Sequence, residues 1–247
     1  MNTLTVSHLG PISYREGLAL QEGLVRARAE RRTGDWLLYP DHPPVLTVGR
    51  NPSEGALRAD PETLARLGIE VFEVARGGDI TWHGPGQLVG YLIADLDRRG
   101  RDLHRLLRDL EESIQQALAA YGVTGKRVPG RTGVWVAERK IASIGVAVRR
   151  WVSYHGFALN VAPDLRSFDL IHPCGLHGIQ MTSLAALLGP RAPGLDTMRT
   201  AMAQSLSRQM QYTEWRWGDA SEARRLAAHT RETALTGAIH DGGGSPC

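Results

Sequence analysis

Gly133-Val-Trp-Val-Ala-Glu-Arg-Lys140-Ile-Ala-Ser-Ile-Gly-Val-Ala-Val148-Arg-Arg-Trp-Val152-Ser-Tyr-His-Gly-Phe-Ala-Leu-Asn-Val161 is the stretch whose reading decides the fold class. It holds three apolar runs, Gly133 to Ala137, Lys140 to Val148 and Val152 to Val161, separated by only two or three residues. Strands joined by links this short must turn back on one another, so antiparallel pairing is predicted. In the middle run the two-residue period of a strand puts Lys140, Ala142 and Ile144 on one face, with Ile141 and Ser143 on the other.

Upstream, Leu103, Leu106, Leu107, Leu110, Ile114, Leu118 and Tyr121 fall at helical spacing, and Asp102 can cap the helix they predict over Asp102 to Tyr121. A strand is expected from Leu88 to Leu96. Ile69 to Val74 alternates as a strand does, and Pro61 to Leu67 reads as a short helix. Short strands at Trp36 to Tyr39 and Val45 to Val48 flank the turn Pro40-Asp-His-Pro-Pro44. The chain opens with a strand, Leu4 to His8, and a helix started by the capping box Ser13-Tyr-Arg-Glu16 and ending near Arg32. Downstream, 162–181 is irregular, and helices follow at Ser183 to Leu188 and Asp196 to Gln211. The last of these carries a stripe of Met198, Met202, Leu206 and Met210 that suits core filling. Gly242 to Cys247 reads as a loose tail. Strands and helices mix without strict alternation, which predicts an α/β (α+β) fold with a mixed, largely antiparallel sheet flanked by helices. Residues 1–215 are expected to form one domain, and 216–247 a C-terminal extension.

The composition narrows the function classes. The chain has 247 residues, 42% hydrophobic and 22% charged, with mean hydropathy −0.24, as in a globular protein with a sizeable core. No apolar run is long enough to span a membrane. The N-terminus lacks the basic and apolar regions of a secretory signal. Net charge is +3, without the Lys/Arg block of a nucleic-acid arm. Two cysteines, Cys174 and Cys247, make no disulfide framework, so a reducing, cytoplasmic setting is expected. Of the 29 Lys+Arg residues, only Lys126 and Lys140 are lysine.

Three segments carry chemistry. Arg76-Gly-Gly-Asp-Ile-Thr-Trp-His83-Gly-Pro-Gly-Gln87 packs four glycines and a proline into twelve positions. This density predicts irregular backbone that approaches a ligand closely and leaves amides free. Glycine alone would suit a surface turn, but Arg76, Thr81, His83 and Gln87 in the same loop favour a site. Lys140 begins an apolar strand in a chain that uses arginine almost everywhere else. Lysine can release a proton when desolvated and arginine cannot, which points to a titratable amine. Pro173-Cys174-Gly175 fits a nucleophile on a tight turn. The alternatives are a buried structural cysteine and a metal site of His172, Cys174 and His177, whose spacing matches no standard zinc site.

Together with Gly133-Val-Trp-Val136, Tyr91, His155-Gly-Phe-Ala-Leu-Asn160 and Thr182-Ser-Leu184, these segments resemble the lipoyl(octanoyl) transferases, from about Val45 to Leu188. The resemblance implies a fold shared with lipoate-protein ligases and biotin ligases, and one catalytic acyltransferase domain. It implies transfer of octanoyl from acyl carrier protein to a lysine of a lipoyl domain, such as those of 2-oxoacid dehydrogenases or the glycine-cleavage H protein. Cys174 would be the acyl-thioester nucleophile and Lys140 would lower its pKa. Substrate contacts would fall at Arg76, Gly77, Gly78, Asp79, Ile80, Thr81, Trp82 and His83, at Ser143, Ile144 and Gly145, and at Gly156, Phe157 and Ala158. Neither ATP nor a metal is implied, because thioester to amide runs downhill. The competing readings are an ATP-dependent lipoate ligase, a Cys–His thioester hydrolase, and a non-catalytic domain that binds a carrier protein.

Overall fold

The computed structural model describes residues 2–172 and 179–236. The three runs at 133–161 form the predicted antiparallel strands, here β8 (Arg131–Val136), β9 (Arg139–Arg149) and β10 (Val152–Asn160). The other strands are β1 (Thr3–Pro11), β2 (Asp35–Asp41), β3 (Val45–Val48), β4 (Glu70–Glu73), β5 (Ile80–His83), β6 (Gln87–Ile93), β7 (Lys126–Val128) and β11 (Glu214–Trp217). The helices are α1 (Tyr14–Ala29), α2 (Pro61–Leu67), α3 (Leu103–Ala119), α4 (Leu184–Leu188), α5 (Leu195–Gln209) and α6 (Ala220–Thr236).

An eight-stranded sheet runs β11-β1-β2-β6-β10-β9-β8-β7. Its β1 neighbours are parallel and the remaining pairs antiparallel. A second sheet, β4-β3-β5, stands beside it. The turn at Pro40 to Pro44 therefore hands the chain from one sheet to the other, because β2 pairs with β1 and β6 while β3 pairs with β4 and β5.

Helix positions follow from capping and periodicity. Ser13 Oγ accepts from the Glu16 amide at 3.2 Å, and Glu16 accepts from the Ser13 amide at 3.1 Å, so the capping box starts α1. Asp102 caps α3 through the Arg105 amide at 2.9 Å. The apolar stripe of α3 packs with Met198, Met202 and Leu206 of α5 against one face of the large sheet. Helices α1 and α6 cover the other face through Leu20, Leu24, Ala223 and Ala227. A third core, with Trp82, Phe168 and Ile171, lies under the small sheet.

The structure corrects two expectations. The glycine-rich stretch contains a regular element after all. Its glycines lie at the ends, and the β-branched and aromatic residues between them form β5, which pairs with β3. The face expected for Lys140 is also wrong. Val134 pairs with Ala142, yet the next residue, Trp135, pairs with Lys140, so Ile141 is an extra residue in β9. This bulge breaks the alternation. Ile141 and Ala142 both enter the core with α3, while Lys140 opens onto the same cavity as Ser143. Strands β7 and β11 and helix α6 are additions to the elements expected. The segment 173–178 and the tail Gly242 to Cys247 lie outside the described residues.

Candidate active site

The glycine loop is fixed before it meets any ligand. The amides of Gly49, Arg50 and Asn51 donate to the carbonyls of Asp79, Arg76 and Gly78 at 3.0, 3.0 and 3.3 Å. The Gly77 amide donates to Val146 of β9 at 2.9 Å. Side chains could not pass here: a Cβ on Gly49 would collide with the Gly78 carbonyl, and one on Gly145 would stand 2.9 Å from the Gly77 carbonyl. The buried Arg76 guanidinium donates to the Thr47 carbonyl at 2.6 Å and to Thr47 Oγ1 at 2.8 Å. It is thereby held as a fixed cation.

This loop, β5, β9 and β10 enclose a cavity of about 400 Å³. Of the expected substrate residues, Arg76, Gly78, Asp79, Ile80, Thr81, His83, Ser143, Ile144, Gly145, Gly156, Phe157 and Ala158 line it, together with Lys140. Gly77 does not, and serves as the link to Val146. Trp82 points into the third core, with its ring 5.5 Å from that of Phe168. Sequence patterns did not place Tyr14, Asn51, Ser53, Gly130, Arg131, Thr132 or His155 in the site, yet all seven line the cavity.

Lys140 is 2% exposed. Its Nζ lies 5.7 Å from the Trp135 ring centroid, within cation–π range. Its stem passes over Gly133, where φ is +129° and a Cβ would come within 2.6 Å of Lys140 Cε. The backbone of Lys140 is tied to the strand-like stretch at Met181. Its amide donates to the Gln180 carbonyl and its carbonyl accepts from the Thr182 amide, both at 2.9 Å. Cys174, Pro173, Gly175 and His177 lie outside the described residues. His172, at the near edge, donates its amide to Ala56 at 2.7 Å. Among the described residues no group of three or more His, Cys, Asp or Glu could hold a metal.

Around Arg76 stands a set of neutral rings. Burial pushes His83 and His155 down to about 3, with Arg76 adding to the effect, and burial also lowers His42. Burial raises the Tyr14 hydroxyl to about 12. Tyr14 stacks on His83 at 6.4 Å and 6°, and Tyr91 meets His155 edge-on at 6.3 Å. The Arg76 guanidinium is therefore set among uncharged imidazoles.

Residues 13–207 match the family described as the lipoyl protein ligase A/B catalytic domain. The octanoyltransferase of Geobacter metallireducens is 49% identical over 197 residues, covering 80% of this chain and 89% of that protein. That of Geobacter sulfurreducens is 50% identical over 200 residues, covering 81% and 82%. Among solved structures, lipoate-protein ligase A bound with ATP superposes with a TM-score of 0.76 at 18% identity, covering 92% of this chain and 94% of that one. A putative lipoate protein ligase from T. acidophilum with bound lipoic acid gives 0.72 at 17%, covering 93% and 95%. At these identities the two ligases bear on fold alone, and the half-identical relatives decide the rest. This chain belongs to the lipoyl(octanoyl) transferase family and is an acyltransferase.

Proposed function

We propose that this protein transfers octanoyl, or lipoyl, from acyl carrier protein to a specific lysine of a lipoyl domain through a thioester on Cys174. This is the first step of endogenous protein lipoylation. The observation that carries the reading is Lys140: a buried amine in the cavity, tied through its own backbone to the chain six residues beyond Cys174.

A free thiol with pKa about 8.5 is only a few per cent thiolate at neutral pH. Lowering it by two units takes about 2.7 kcal/mol, within reach of a partly desolvated thiolate–ammonium pair. The Cys174 thiolate attacks the octanoyl thioester and expels the carrier's pantetheine thiolate, which takes a proton from Lys140. The neutral Lys140 amine then removes a proton from the acceptor lysine. That amine attacks the Cys174 thioester. As the C–S bond breaks, the departing sulfur takes the second nitrogen proton, leaving the amide and the Cys174 thiol, which gives that proton to solvent to restore the thiolate–ammonium pair. Burying six methylenes in the cavity supplies about 5 kcal/mol toward holding the chain. Fixed positive groups such as Arg76 offset the negative charge of the carrier's phosphopantetheine.

The acceptors are lipoyl domains of 2-oxoacid dehydrogenases and the glycine-cleavage H protein, and the setting is the cytoplasm. No helix among the described residues is long and apolar enough to cross a membrane. Residues 1–215 are read as the catalytic unit and 216–247 as an extension that packs back on it through the end of β11 and α6. The test is transfer from octanoyl-carrier protein to a lipoyl domain with no ATP or metal added. Activity only with ATP and free octanoate or lipoate would replace this reading with a ligase. Release of octanoate to water with no amide formed would replace it with a hydrolase.

A further inference from the structure

Three buried histidines stand at or near the cavity and differ in what their ring nitrogens do. His42 spends both ring nitrogens, at 2.9 Å on the Ile12 carbonyl and 2.7 Å on the Tyr91 hydroxyl. The Nε2 of His155 is buried without a partner. For His83 the hydrogen bonds fix the tautomer. The Thr182 carbonyl can only accept, so Asn160 Nδ2 donates to it at 3.0 Å. Asn160 Oδ1 then faces Gln87 at 3.0 Å and must accept from Gln87 Nε2. That leaves Gln87 Oε1 toward His83 Nδ1 at 2.8 Å, so Nδ1 carries the hydrogen. Burial keeps a second proton off the ring, so Nε2 is a bare acceptor. Its plane is held by the stacked Tyr14 ring.

We propose that His83 Nε2 accepts a hydrogen bond from the attacking amine of the acceptor lysine and so aims the nitrogen lone pair at the acyl carbonyl. The inference rests on the transfer reaction proposed above. An octanoyl chain, a thioester and a thiolate carry no N–H or O–H donor, and the pantetheine arm, whose amides and hydroxyl could donate, departs with the first half-reaction. The acceptor amine, by contrast, keeps two N–H groups after losing its proton to Lys140. His83 orients one of these and moves no proton itself. It acts in the second half-reaction only.

His83→Asn separates this role from a structural one. The Asn amide nitrogen occupies the place of Nδ1 and can still donate to Gln87, but nothing replaces Nε2. In single-turnover measurements on the full chain, acylation of Cys174 by octanoyl-carrier protein is followed by intact mass, and the acyl-enzyme is then chased with a lipoyl domain. The transfer step is expected to slow about 10- to 100-fold more than the acylation step, as for one lost transition-state hydrogen bond. Equal slowing of both steps, slowing of acylation alone, or no slowing of transfer would overturn the proposal. Nitrogen NMR of the wild-type protein gives a check that needs no variant. It should show His83 protonated at Nδ1 and bare at Nε2 at neutral pH, and the opposite tautomer would also overturn it. A wild type that never carries octanoyl on Cys174 is a different outcome, which removes the thioester reading itself.

Discussion

The two walls of the cavity are built from opposite materials. The β5 wall ends in His83, a neutral ring fixed through side chains by the relay to Gln87, Asn160 and the Thr182 carbonyl. The β9 wall begins with Lys140, an amine placed by a bulge and by backbone bonds to Gln180 and Thr182. The walls thus meet at one short stretch of chain, Gln180 to Thr182. The difference is one of proton capacity. A lysine amine can give up and take back a proton, whereas a histidine pushed to about 3 stays neutral through the working pH range and offers only geometry.

The largest effects should come from removing proton capacity or the nucleophile. Cys174→Ala should abolish turnover. Lys140→Arg keeps the charge but cannot release a proton, so kcat should fall at least about 100-fold; near-normal kcat would confine Lys140 to an electrostatic role. Lys126 is the control. It is exposed and paired with Glu138 at 3.0 Å, so Lys126→Arg should leave kcat within about twofold.

Next come the supports of each wall. In Gly133→Ala the new methyl would stand 2.6 Å from Lys140 Cε and 2.5 Å from the Ala142 carbonyl. It should cost about 1–3 kcal/mol in urea unfolding and reduce kcat as Lys140 is displaced. Gly49→Ala drives a methyl into the Gly78 carbonyl on the opposite wall. It should raise KM more than it lowers kcat, because it moves the loop that bounds the substrate space and leaves Lys140 in place. Equal kcat losses in both variants would mean that the walls do not divide the work.

The last effect is on stability against pH. His83 and His155 are neutral when folded down to about 3, but titrate near 6.5 when unfolded. The unfolded chain therefore binds more protons below 6.5. Stability is full above that pH and is lost as pH falls toward 3, by about 1.4 kcal/mol per pH unit for each ring. Urea titrations at pH 6.5 and 5 should show this loss, and His83→Asn should remove one ring's share of the slope.

Much of this fold was legible because its strongest signals are local. Apolar spacing in 103–121, the capping box at Ser13 and the short links inside 133–161 each fix an element without help from the rest of the chain. Four residues between glycines, Ile80–His83, were hidden by the composition around them. Their strand exists because β3 offers a partner, which is a long-range fact. The face of Lys140 was misread for a related reason: a bulge depends on how β8 pairs, and period-two counting in β9 alone cannot see it. In the site, the glycine loop and Lys140 stand out through residue chemistry. Tyr14, Asn51, Ser53 and Thr132 reach the cavity from three separate segments and carry no local mark. His155 had one, since it precedes Gly156-Phe-Ala158 in a motif already singled out.

The central claim is that Cys174 carries the acyl group. Incubating the protein with octanoyl-carrier protein and no acceptor, then mapping mass by peptide, tests it most directly. The account predicts one octanoyl on the peptide containing Cys174, lost on adding a lipoyl domain as that domain gains the same mass. No acyl-enzyme, or label on Cys247 alone, would contradict it.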